Sequence, residues 1–79
     1  MPDKEGTLQM QPSGRWAVCR PGRSPVAIRA GESFLVEVSG AMKQTRMELR
    51  HHKSGGGEYY SVDGYNLANG LRAAIGAGD

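Results

Sequence analysis

Apolar residues recur along the chain with a period of two, in short runs that glycine, proline or an Asp-Gly or Asn-Gly pair brings to a stop. Successive side chains of an extended backbone point to opposite faces, so this rhythm predicts short strands with one face buried. Residues 1–6, Met-Pro-Asp-Lys-Glu-Gly, have no apolar face and are expected to form a flexible N-terminal lead-in. Leu8 and Met10 share a face and predict a short edge strand before the break at Pro12-Ser13-Gly14. Trp16 and Val18 alternate with Arg15, Ala17 and Cys19 until Arg20-Pro21-Gly22-Arg23. There proline presets the first central φ and glycine tolerates the positive φ of a type II turn. Val26 and Ile28 resume the alternation, Ala30-Gly31-Glu32 turns again, and Phe34, Val36 and Val38 oppose Leu35 and Glu37 in the clearest strand, 33–38.

Ser39-Gly40-Ala41 connects that strand to the next, where Thr45, Met47 and Leu49 share one face and Gln44, Arg46, Glu48 and Arg50 the other. Apolar on one side and charged on the other is the pattern of a sheet solvated on one face. The flexible Ser54-Gly55-Gly56-Gly57 makes residues 44–62 a hairpin with a loose tip, in which one of Tyr59 and Tyr60 points inward. The last segment fits a helix face through Leu67, Leu71, Ala74 and Ile75, or a strand through Leu71, Ala73 and Ile75. Asp63-Gly64 and Asn69-Gly70 suit tight turns, and Gly70 inside a helix would cost about 1 kcal/mol relative to Ala. A closing strand at 71–75 is therefore favoured, with a helical turn within 63–71 left open. Strands this short must curl to cover their apolar face. The expected fold is mostly β, a small SH3-like barrel or a strongly curled antiparallel sheet of five to six short strands, in one domain over residues 7–76 with a tail at 77–79.

Ser13-Gly14-Arg15-Trp16, the stretch from Ala30 to Val38, Thr45-Arg46-Met47-Glu48, Tyr59-Tyr60 and the stretch from Gly70 to Ile75 together resemble a small bacterial domain family of unknown function. Members of that family are often encoded near mobile-element genes. The resemblance spans roughly residues 13–75. An aromatic residue often precedes the Thr-Arg pair in the family, whereas Met42-Lys43-Gln44 stands there in this chain. The resemblance implies a compact, mostly β domain and brings no activity, cofactor or site.

Size and charge narrow the chemistry. A chain of 79 residues is too short for a two-lobed nucleotide enzyme or a barrel enzyme of roughly 250 residues. The longest apolar run, Trp16 to Cys19, falls far short of the roughly 20 residues that span a bilayer or the 7–15 of a signal-peptide core, so no membrane partner and no export by that route are expected. Cys19 is the one cysteine and cannot form an intramolecular disulfide, which points to a reducing, cytoplasmic setting.

Ten Lys and Arg against eight Asp and Glu leave a net charge of +2 with an uneven distribution. Arg15, Arg20, Arg23 and Arg29 put +4 on residues 15–31, and Lys43, Arg46, Arg50 and Lys53 less Glu48 put +3 on residues 41–53. Small β barrels bind single strands of nucleic acid by stacking bases on aromatics beside such basic tracks. Of the aromatics, Trp16 and Phe34 fall on the core face, which leaves Tyr65 and one of Tyr59 and Tyr60. The candidate binding surface is accordingly Arg15, Arg20, Arg23, Arg29, Arg46, Arg50, Lys53 and Tyr59.

Catalytic and metal motifs are weaker. Arg20 beside Cys19 favours a thiolate, but a nucleophilic cysteine needs a histidine base and the sequence does not bring His51 or His52 to it. Adjacent His51 and His52 point to opposite faces of a strand and do not converge on one ion. Lys53-Ser54 precede the triple glycine, the reverse of a phosphate loop. Glu32, Glu37, Glu48, Glu58 and Asp63 are scattered, and Glu37 and Glu48 are expected to pair with basic residues across strands. No catalytic residue, metal or cofactor is expected. The expected function is a bacterial non-catalytic protein-interaction or accessory module, whose partner is another protein or a second copy of the chain; nucleic-acid binding through residues 15–29 and 43–53 is the alternative.

Overall fold

The computed structural model describes residues 4–76; the remainder of the expected lead-in, residues 1–3, and the expected tail, residues 77–79, lie outside the described residues. Seven strands form: β1 (Lys4–Met10), β2 (Trp16–Cys19), β3 (Val26–Ala27), β4 (Ser33–Val38), β5 (Ala41–His51), β6 (Gly57–Ser61) and β7 (Arg72–Ile75). They build one antiparallel sheet in the order β3-β2-β1-β7-β4-β5-β6, which is not closed into a barrel. The strand count exceeds the expected five to six, the segment around Val26 contributing a two-residue strand of its own, and β1 is longer than expected because Lys4-Glu5-Gly6 are already paired. Those three residues belong to β1 and face β7, so the lead-in expected over 1–6 does not hold for 4–6; pairing with a neighbour substitutes for the apolar face they lack. β1 is also no edge strand, lying between β2 and β7. No helical turn forms in 63–71 among the described residues, and 72–75 is the expected strand.

The register explains which residues share a face. Leu8 lies opposite Val18 and Met10 opposite Trp16, Ala73 lies opposite both Gly6 and Val36, and Phe34 lies between Ile75 and Thr45. Leu8, Trp16, Val18, Ile28, Phe34, Val36, Met47, Ala73 and Ile75 gather on this face as one buried cluster. Its members come from both halves of the strand order, which requires the sheet to curl. Backbone bonds follow the curl: Ile28 N–H donates to the Trp16 carbonyl at 2.9 Å, and Gly31 N–H to the Met47 carbonyl at 2.6 Å. Met47 N–H donates in return to the Glu32 carbonyl at 3.0 Å, so residues 28–32 bridge β2 to β5.

β4 and β5 are joined by a two-residue turn in which Ser39 and Gly40 have φ of 52° and 82°. Positive φ at both positions is the primed turn whose twist matches antiparallel strands. Within β5 the one buried polar pair among the described residues bridges to β6, Thr45 Oγ1 and Ser61 Oγ at 2.7 Å. Removing one hydroxyl leaves the other buried without its partner, whereas removing both leaves none. Thr45→Val and Ser61→Ala are each expected to cost about 1–3 kcal/mol, and the double variant clearly less than their sum. Urea unfolding of the four proteins measures this; strict additivity would show that the pair is not coupled.

Candidate functional site

A groove of about 410 Å³ opens between one edge of the sheet and the far end of β1 and β2. Gly57, Glu58, Tyr59 and Tyr60 of β6 form one wall, Met10, Gly14 and Trp16 the opposite one, and Tyr65, Asn66 and Leu67 the third side. Local structure explains why these residues meet. Tyr59 lies opposite Leu49 on the inner face of the β5–β6 hairpin and packs on the core, as do Tyr65 and Leu67. Trp16 sits opposite Met10 at the end of the β1–β2 ladder, so its ring belongs both to the core, at 9% exposure, and to the groove. Met10, by contrast, is 42% exposed, because the core ends there.

The loop carrying Tyr65 to Leu67 is held at both ends. Gly64 N–H donates to the Ser61 carbonyl at 2.9 Å, Met10 N–H to Asn69 Oδ1 at 2.7 Å, and Gly70 N–H to the Leu8 carbonyl at 2.8 Å. Asn69-Gly70, with Gly70 at φ 94°, therefore continues the pairing of β1 where β7 ends. The third side of the groove is thus fixed to the end of β6 by one polar contact and to β1 by two, none of which depends on a ligand.

The basic candidates lie elsewhere. Arg15 precedes β2 while Arg20 and Arg23 follow it, so about 15 Å of extended chain separates them. Arg20 is half-buried with its Cγ over Gly6 and its Nε out of water without a partner, which removes it from the freely exposed cations. Arg29 is exposed in the bridge between β3 and β4, and its N–H donates to Glu32 Oε1 at 2.9 Å. Arg46 pairs with Glu48 at 2.9 Å along its own strand, and Arg50 pairs with Glu58 at 3.4 Å across strands. Glu37 faces Met42 across the ladder. Both acids were expected to have cross-strand basic partners; Glu48 takes one on its own strand and Glu37 takes none among the described residues. Arg50 also lies over the Tyr60 ring, 4.5 Å from its centroid, and Lys53 is exposed at the hairpin tip. Residues 15–29 and 41–53 therefore supply cations to several surfaces, and none of those cations lines the groove.

Chemically reactive residues are also dispersed. Cys19 is half-buried on the face of β1–β2 that points away from the core, opposite Thr7, with Gln11 Nε2 4.0 Å from its Sγ. His51 ends β5, four positions from β2 in the strand order, and both histidines are exposed. No cluster of three or more His, Cys, Asp or Glu that would hold a metal occurs among the described residues. The arrangement that does exist is a fixed, mostly apolar and aromatic groove with one acid, Glu58, at its rim.

Of the groove residues only Tyr59 is named among the sequence candidates. Trp16 reads from the sequence as core and is both core and groove, Tyr65 reads as an available aromatic outside the named surface, and Met10 and Leu67 carry no functional signal. The visible hint was Met10: an apolar residue one step short of a Pro-Ser-Gly break, at the end of a strand where burial runs out. No protein-family model, curated protein or solved structure matches the chain, so the function is argued from this groove.

Proposed function

We propose that the chain is a non-catalytic binding module whose groove engages an extended peptide segment of a partner protein. One observation carries the reading: three segments distant in sequence, 10–16, 57–60 and 65–67, converge on an aromatic groove that contains no Lys or Arg in a chain with ten of them. Fixed aromatic side chains give large contact area at low entropic cost, which suits peptide recognition. Nucleic-acid binding by a small β domain asks for the opposite arrangement, stacking aromatics beside a positive track. Arg50, the cation stacked on Tyr60, is itself paired with Glu58. Self-association is a variant of the same reading. A cytoplasmic, bacterial accessory role, motivated by the lone Cys19 and by the family resemblance, belongs to this proposal. So does a likeness to SH3-like barrels, which the curl of the open sheet and the 28–32 bridge between β2 and β5 support.

Trp16 is the chain's one tryptophan and lines the groove, so its emission reports occupancy. A pool of extended peptides is expected to change that emission saturably and with little dependence on salt. Random single- and double-stranded DNA and RNA are expected to leave the amide shifts of residues 15–29 and 43–53 unchanged at moderate salt. Localised shifts there that collapse as salt rises would overturn the peptide reading in favour of nucleic acid.

A further inference from the structure

We propose that the groove takes its ligand as an added β-strand: an extended segment of a partner protein pairs with the free edge of β6 and lowers alternate apolar side chains between Tyr59 and Trp16. This rests on the peptide reading above and adds to it the mode of binding and the chemistry of the segment.

β6 is the last strand of the sheet, so one side of its backbone has no strand neighbour. Ladder parity tells which groups face that side. In an antiparallel pair, opposed residues alternate between those that exchange hydrogen bonds with the partner and those whose N–H and C=O point away from it. Val62 N–H donates to the Arg46 carbonyl at 3.0 Å and His52 N–H to the Gly56 carbonyl at 3.2 Å, which fixes the bonded pairs at both ends of the hairpin. Moving inward by two from either end, through Glu48 opposite Tyr60 and Arg50 opposite Glu58, gives the same parity. Glu58 and Tyr60 are therefore bonded to β5, and Gly57, Tyr59 and Ser61 direct their backbone groups to the free edge. The Ser61 carbonyl is taken by Gly64 N–H at 2.9 Å. Gly57 and Tyr59 keep both groups, and Ser61 its N–H, without a backbone partner among the described residues.

The same stretch of β6 is a wall of the groove. Gly57 and Tyr59 also share the inner face, and Gly57 puts no side chain in the way. A strand paired with them therefore sets its inward side chains beside Tyr59 and across from Trp16, Met10 and Leu67. The two edges of the sheet differ in a telling way. Sheet edges are commonly blunted by shortness, proline, lysine or a bulge. β3 has two residues and follows Pro25, whereas β6 has five residues with neither proline nor lysine and an unbroken register. The one charged lining residue, Glu58, is already paired with Arg50, so the groove presents no free charge and suits a segment whose inward side chains are apolar and uncharged.

The test uses the isotope-labelled full chain and a pool of capped peptides of about seven residues, with Val, Leu or Tyr at alternate positions and Lys or Thr between. Two further pools carry backbone N-methyl groups on the odd or on the even residues. In the free protein the Gly57 and Tyr59 amides are expected to exchange with water fast while Glu58 and Tyr60 are protected. With the unmethylated pool, Gly57 and Tyr59 should gain at least about tenfold protection. One methylated pool should lose binding and the other keep it, because only alternate peptide N–H groups face β6. If both methylated pools still change Trp16 emission, strand addition is overturned while the peptide groove stands. If no pool changes it, both fall. Protection of Gly57 and Tyr59 that rises with protein concentration alone would make a second copy the occupant and overturn the assignment to a partner protein.

Discussion

Replacing Gly6 with Ala is expected to destabilise the domain by roughly 2–3 kcal/mol, the upper part of the range for overpacking. A Cβ at this position would overlap the Cys19 carbonyl oxygen and come within 2.9 Å of Arg20 Cγ. The obstacle on one side is backbone of β2, which cannot move without breaking the β1–β2 ladder. Gly6 has no positive φ, so the penalty is steric. For a domain of this size the loss corresponds to a melting temperature lower by roughly 10–20 °C. Were Gly6 part of a flexible lead-in, the same change would be neutral or slightly stabilising, because alanine restricts the unfolded chain. Thermal unfolding followed by circular dichroism separates the two, and an unchanged midpoint would show that β1 does not begin before Thr7.

Tyr65→Ala should weaken peptide binding by roughly 30-fold, the effect of truncating an aromatic anchor worth about 2 kcal/mol, and leave the fold intact. Tyr65 is half-buried on a loop whose anchors, Asn69 and Gly70, are untouched by the change. Its stability cost is expected to stay within about 1–2 kcal/mol. Trp16→Phe is a less clean probe, because Trp16 serves the core as well as the groove. Arg23→Ala serves as the control, since Arg23 lies in the turn after β2 and outside the groove. Peptide titration of the three proteins decides the matter: equal affinity for wild type and Tyr65→Ala would remove the groove as the recognition site, and a loss confined to Arg23→Ala would move it to the basic turn.

Much of the local structure is legible along the chain. Alternation of Phe34, Val36 and Val38 against Leu35 and Glu37 predicts 33–38, which is β4 residue for residue. Pro21-Gly22 and Asn69-Gly70 mark turns where Gly22 and Gly70 do adopt positive φ. These are one-dimensional properties: which face a side chain takes depends on its parity, and whether a turn closes depends on the φ its residues tolerate.

Strand order is of another kind. β7, the last strand, enters between β1 and β4, so that Ala73 meets Gly6 and Val36. Backbone pairing is generic, and alternation states that a strand has an inner face without naming its neighbour. Only the packing of small Ala73 and Ala74 among β1 and β4 selects that slot. For the same reason Lys4-Glu5-Gly6 read as a lead-in and are strand, and Arg20 reads as a free cation and is half-buried. The groove is the furthest from the sequence, because its three sides meet only after the order is set and the sheet has curled. The residues themselves determined most of the strands, the turns and the charge; the three-dimensional packing decided which edge stays open and which aromatics line it, since neighbours across a curled sheet are chosen by shape complementarity between segments far apart in the chain, as Met10 and Asn69 are at 59 and the paired Gly6 and Ala73 are further still.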